Sequence, residues 1–76
     1  LSQAEQVAER IRRTTAVTPI NVTAEHAEQA LWLTASLGVT TILDNEKALK
    51  PALKRADIGL YQAKENGRNQ VVVNAA

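Results

Sequence analysis

The chain has 76 residues, 45% of them hydrophobic and 22% charged, with nine Lys plus Arg against eight Asp plus Glu for a net charge of +1. That composition fits a folded domain rather than a disordered one, and the near-neutral balance gives no general pull toward nucleic acid or a membrane surface. The absence of Cys excludes disulfides and thiolate metal sites, and no apolar run is long enough to span a bilayer.

The first expected element is a helix over residues 2–17. Ser2 and Glu5 have capping-box spacing, and Ala4, Val7, Ala8 and Ile11 follow at i, i+3, i+4 and i+7 as a one-sided apolar stripe. Glu9, Arg10, Arg12 and Arg13 lie off that stripe. The β-branched Thr14, Thr15, Val17 and Thr18, followed by Pro19, weaken the helix and end it.

Residues 20–42 read as a hairpin. Its first strand is the β-branched run 20–23, and its turn falls in the polar stretch 25–28. Its second strand is the alternation of Leu31, Leu33, Ala35, Leu37 and Val39 with Trp32, Thr34, Ser36, Gly38 and Thr40. Ser36 and Gly38 share a face on which small side chains let another backbone or a ligand approach. His26 reads as a surface residue of the turn, and Trp32 as a packing residue.

Asp44 and Asn45 form a turn with capping potential. A second helix then starts at 46 or at 50, since Pro51 is tolerated only in a first turn, and it runs to Asn66. Leu49, Leu53, Ala56, Leu60 and Ala63 are its expected buried stripe, and Gly67 supplies the left-handed residue that ends it. Residues 70–73 form a short last strand. The order helix, hairpin, helix, strand predicts an α+β fold, a mostly antiparallel sheet covered by helices. With no Met and a core limited to Ala, Leu, Val and Ile, the chain reads as a piece of something longer.

Lys64 in the last turn and Arg68 just past Gly67 put two cations at the second helix's end. Such residues complement the helix dipole, and they can equally hold an anion: Lys is a point charge, Arg a planar fork suited to phosphate oxygens. Asp57 and Tyr61 share the Lys64 side of this helix and read as structural.

The order Leu53-x-x-Ala56-Asp57-x-x-x-Tyr61-x-Ala63-Lys64-x-x-Gly67-Arg68-Asn69-x-Val71 resembles the closing signature of GGDEF domains. Thr34-x-Ser36-x-Gly38 resembles their inner strand, and Gln6-Val7-Ala8-Glu9-Arg10-Ile11-Arg12 is similar to the helix after their signature hairpin. The three matches keep the family's order and cover nearly the whole chain. The resemblance implies a nucleotidyl-cyclase-like fold, of which residues 1–76 are the C-terminal half. It implies a diguanylate cyclase, a nucleotidyltransferase that condenses two GTP into cyclic di-GMP with release of pyrophosphate in bacterial second-messenger signalling. Two domains meet as a homodimer, each bringing one GTP, with Mg2+ on the phosphates. Lys64 and Arg68 match the family's phosphate-binding lysine and arginine, and Arg10 matches an arginine that in some members binds product at a secondary inhibitory surface.

The Gly-Gly-Asp/Glu-Glu-Phe hairpin itself does not occur in these residues, nor do the family's metal-binding aspartate and guanine-reading residues. No catalytic residue and no metal ligand is therefore expected in this half, and the chain alone is expected to be inactive. Its partners are expected to be GTP, cyclic di-GMP and a second GGDEF domain, without nucleic acid or direct membrane contact. Its expected location is cytoplasmic, with a parent that can be tethered to a membrane sensor. The rival reading is a degenerate GGDEF domain that serves as a GTP-binding or protein-interaction module.

Overall fold

A computed structural model describes residues 2–24, 27–43, 45 and 47–75, with the side chains of Ser2, Val22, Ala24 and Ala27 outside that description. The expected Ser2 side of the capping box, the turn residues Glu25 and His26, and the Asp44 cap fall outside the described residues. The element order is α1 (Ser2–Val17), β1 (Ile20–Ala24), β2 (Ala27–Leu31), β3 (Leu37–Val39), α2 (Lys50–Glu65) and β4 (Val71–Val73). This is the expected α+β class, with both helices and the last strand where the sequence put them.

Helix α1 closes at the β-branched run. Thr15 Oγ1 donates back to the Ile11 carbonyl at 2.8 Å, and Pro19 follows the last turn. Helix α2 starts at the later of the two expected positions. Leu49 is its N-cap, without a side-chain hydrogen bond, and Pro51 lies in the first turn, where its missing N–H costs nothing.

The strands divide differently from the expectation. β1 pairs antiparallel with β2 in the register Ile20↔Leu31 to Ala24↔Ala27, so the hairpin takes in Ala27 and Glu28 from the expected turn. β2 is Ala-, Glu- and Gln-rich and has little strand propensity of its own, so its pairing with the β-branched β1 decides its conformation. The alternating segment is not one strand. Its inner part, β3, leaves the hairpin and pairs in parallel with β4, in the register Leu37↔Val71, Gly38↔Val72 and Val39↔Val73. Parallel neighbours need a crossover, and α2 provides it. There are thus two two-stranded sheets among the described residues, and antiparallel pairing belongs to the hairpin.

Both helices contact β3 and β4, whereas no other element contacts the hairpin among the described residues. The molecule measures 56 × 23 × 20 Å with a radius of gyration of 15.9 Å. A compact chain of this length would have about 11 Å.

The buried faces are made of small residues. Ala52, Gly59 and Ala63 are buried on α2, with Ala63 at 0% exposure, and Arg55, Ala56 and Leu60 are half-buried beside them. Leu49 and Leu53, expected in this stripe, are exposed, Leu53 at 64%. The reason is the close approach of α2 to the sheet. A Cβ on Gly38 would lie 2.5 Å from the Leu60 nitrogen and closer still to the Ala56 carbonyl oxygen. Only a face of Ala and Gly fits at that separation, and it rotates the larger side chains outward. On α1, Ala8 alone of the expected stripe is buried, and Val7 and Ile11 are about half exposed. The side turned inward instead carries Ala8, Glu9, Arg12, Thr15 and Ala16.

Hydrogen bonds tie α2 to the sheet ends. Arg55 Nε donates to Thr40 Oγ1 at 3.1 Å, Thr40 Oγ1 donates to the Asn74 carbonyl at 2.7 Å, and Asn74 Nδ2 donates to the Arg55 carbonyl at 2.9 Å. The ring fixes the ends of β3 and β4 against the middle of the helix.

Candidate phosphate-binding site

The site is built at the C-terminus of α2. The N–H of Arg68 donates to the Ala63 carbonyl at 2.8 Å, and that of Gly67 to the Lys64 carbonyl at 3.4 Å. This is a Schellman closure, with Gly67 at φ 110 as its left-handed residue. It matters for an anion, because open carbonyls at a helix C-terminus repel negative charge. Here two of those carbonyls are already engaged.

The turn does not return to ordinary backbone after Gly67. Arg68 has φ 66 and Asn69 φ 49, so three consecutive residues are left-handed. Asn tolerates that region, but an Arg in it costs roughly 1–2 kcal/mol. Such a conformation persists only where neighbouring contacts fix it. Asn69 N–H donates to Ser36 Oγ at 3.1 Å, and Asn69 Oδ1 accepts from Arg12 Nη1 at 3.0 Å. Gln70 Nε2 donates to the Asn66 and Arg68 carbonyls at 3.0 and 3.1 Å.

Lys64 and Arg68 both stand exposed at this helix end. Among the described residues neither head group makes an ion pair or hydrogen bond. Two free cations beside a capped helix end can receive a phosphate by charge-assisted hydrogen bonds.

Arg10 lies elsewhere. It lines an open groove of about 470 Å³ with Glu5, Gln6, Glu9, Arg13 and Val71, and neither Lys64 nor Arg68 borders that groove. Asp57 and Tyr61 are exposed on α2, so neither holds the helix to β3 or β4. Trp32, expected to pack, is 63% exposed beside the hairpin. Gly38 does allow the close backbone approach expected of it, and Ser36 anchors the Asn69 turn.

Arg12 has only 20% of its side chain exposed, low for an arginine. Its Nε donates to both carboxylate oxygens of Glu9, at 2.9 and 3.0 Å. That hydrogen bonding, chiefly, holds the Glu9 carboxyl below its usual range against the opposing effect of desolvation, with the charges of Arg12 and Arg13 adding to it. The same pairing raises the Arg12 pKa.

A family model described as "Diguanylate cyclase, GGDEF domain" matches residues 1–70, a span that contains Lys64 and Arg68. The chain belongs to the GGDEF family. It is similar to the response regulator PleD of Caulobacter vibrioides, with 42% identity over 76 residues, all of this chain and 16% of the relative. It is also similar to the probable diguanylate cyclase DgcT of Escherichia coli K12, with 36% identity over 73 residues, 93% of this chain and 15% of the relative. This GGDEF chain thus spans about one-sixth of the length of the curated relatives it matches.

The GGDEF motif points to Lys64 and Arg68 and gives no role to Arg12 or Asn69, which the structure joins across 57 positions. The sequence signal available for them was modest. Asn69 directly follows a Gly-Arg pair after a helix, and Arg12 lies one turn from Glu9.

Proposed function

We propose that this chain is the C-terminal half of a diguanylate cyclase domain, and that Lys64 and Arg68 bind the distal phosphates of GTP. In the proposed reaction the ribose 3′-oxygen of one GTP attacks the α-phosphorus of another, and pyrophosphate leaves. Lys64 and Arg68 neutralise charge that gathers on that leaving group, an electrostatic role that moves no proton. The observation that carries the reading is a pair of cations, unpartnered among the described residues, at a capped helix end inside the span that matches the GGDEF model.

Among the described residues no group of three His, Cys, Asp or Glu side chains converges. Magnesium, which the family resemblance implies, is in this proposal held by carboxylates outside them. The second GTP comes with a second GGDEF domain. Arg10, beside its own groove, is proposed as a contact for cyclic di-GMP separate from the substrate site. The proposed substrate is a cytoplasmic nucleotide, so the domain works in that compartment. No helix among the described residues is long and apolar enough to cross a membrane.

The test is cyclic di-GMP formation from GTP by the full-length protein and its Lys64→Ala and Arg68→Ala variants. Each variant is expected to lose about 100- to 1000-fold in rate, the range seen when one donor to a developing negative charge is removed. Wild-type rates in both variants would overturn the assignment. GTP binding without turnover by the wild-type protein would favour the degenerate, regulatory reading instead.

A further inference from the structure

We infer that Arg12 and Asn69 form a positioning clamp that fixes the backbone of Arg68 and thereby aims its guanidinium at the nucleotide phosphates. The inference rests on the proposed role of Arg68.

Arg68 sits between two fixed points. On one side its N–H is bound to the Ala63 carbonyl at the end of α2. On the other, Asn69 is held twice, by Ser36 Oγ on its N–H and by Arg12 Nη1 on its side-chain oxygen. The stretch then enters the sheet, where the Gln70 carbonyl accepts from the Leu37 N–H at 3.0 Å. Between those points Arg68 has a backbone conformation that an arginine avoids when free, with φ 66. Releasing Asn69 would let Arg68 relax to ordinary backbone and redirect its side chain.

Arg12 is suited to the task. Glu9 grips its Nε edge with both carboxylate oxygens, which leaves Nη1 directed to Asn69. The guanidinium is a rigid plane, so fixing one edge fixes the other. A lysine at position 12 could not serve both partners in this way. The clamp also joins α1 to the turn after α2, elements that come from opposite ends of the chain. A displacement of α1 is thereby transmitted to a phosphate ligand.

A double-mutant cycle in the full-length protein separates positioning from general support of the fold. The readout is the equilibrium affinity for an α,β-methylene GTP analogue, measured for wild type, Arg12→Met, Arg68→Ala and the double variant. Arg12→Met is expected to weaken binding roughly 3- to 30-fold in the wild-type background, and by less than about two-fold where Arg68 is already Ala. Asn69→Gly repeats the cycle without changing charge and keeps a residue that accepts the left-handed backbone. It also carries the test if Arg12→Met fails to fold. Equal losses in both backgrounds, or no loss in the wild-type background, overturn the clamp. If Arg68→Ala weakens binding while Arg12→Met and Asn69→Gly do not, the clamp falls and the phosphate role stands. If Arg68→Ala binds like wild type, both fall.

Discussion

Gly38 and Gly59 cross backbone to backbone: a Cβ built on Gly59 would stand 3.5 Å from the Gly38 Cα. This contact seats α2 on β3, and the position of α2 sets where its C-terminus presents Lys64 and Arg68. The two glycines are nevertheless unequal. A Cβ on Gly38 meets helix backbone, with the Leu60 nitrogen at 2.5 Å, whereas one on Gly59 meets the Val72 carbonyl oxygen at 3.2 Å.

Substitution should separate them. Gly38→Ala is expected to destabilise the protein by roughly 3 kcal/mol or more, because backbone cannot move aside as a side-chain tip can. Gly59→Ala is expected to stay within about 1 kcal/mol of wild type, since the tighter contact is offset by better helix propensity. Denaturant unfolding of both variants checks the order. A Gly59→Ala variant less stable than Gly38→Ala would contradict the packing described.

The same contact shows what the sequence could and could not tell. Helix α1, helix α2, Pro51 in a first turn, Gly67 after the last turn and a last strand over residues 70–73 follow from local chemistry, and the structure has them all, the strand at Val71–Val73. The buried faces were legible in part: Ala8 and Ala63, expected in the two stripes, are buried, and Ala56 and Leu60 are half-buried, whereas Ala52 and Gly59 were not expected there. Large apolar residues such as Leu49 and Leu53 are natural core candidates by composition, yet the small Ala52, Gly59 and Ala63 are what a closely seated helix can bury. Strand partners were not legible. Alternation over residues 31–39 marks extended chain but is silent on whether a neighbour is parallel, and here β3 turns to β4 rather than back to the hairpin. The placement of Lys64 and Arg68 at the end of α2 was legible from the helix pattern and Gly67, and their proposed role comes from the family motif. The Arg12 to Asn69 bond was not legible, because it joins positions far apart in the sequence with no periodicity to link them.

Acid should loosen α1. The Glu9 carboxyl titrates below its ordinary value of about 4.5, chiefly because Arg12 donates to it. A carboxyl whose folded pKa is depressed adds stability above its unfolded pKa, and that increment is lost as pH falls through the folded value. The melting-temperature gap between wild type and Glu9→Gln is therefore expected to be present at pH 7 and to close as pH drops below about 4.5. A gap that persists unchanged at pH 2.5 would contradict the pairing.

The isolated 76-residue chain is expected to associate. Val7 and Ile11 on α1, Leu49, Leu53 and Tyr61 on α2, and Ile20, Leu31, Trp32 and Leu33 at the hairpin are all 46% exposed or more. Apolar surface of this extent, with a hairpin that no other described element contacts, favours self-association. In the proposed reading the other half of the domain covers these faces. Sedimentation should give a concentration-dependent mass for the isolated chain. A monomer that unfolds in one cooperative transition would count against that reading.

The central claim is that Lys64 and Arg68 hold the distal phosphates of a nucleotide, and a comparison of two ligands tests it most directly. Affinities of the full-length protein for an α,β-methylene GTP analogue and for GMP would be measured with and without the Lys64→Ala/Arg68→Ala pair. The double variant is expected to lose roughly 100-fold or more for the triphosphate, about 1.4 kcal/mol or more per lost charge-assisted contact, and to bind GMP as wild type does. Equal losses for both ligands, or an unchanged preference for the triphosphate, would contradict the claim.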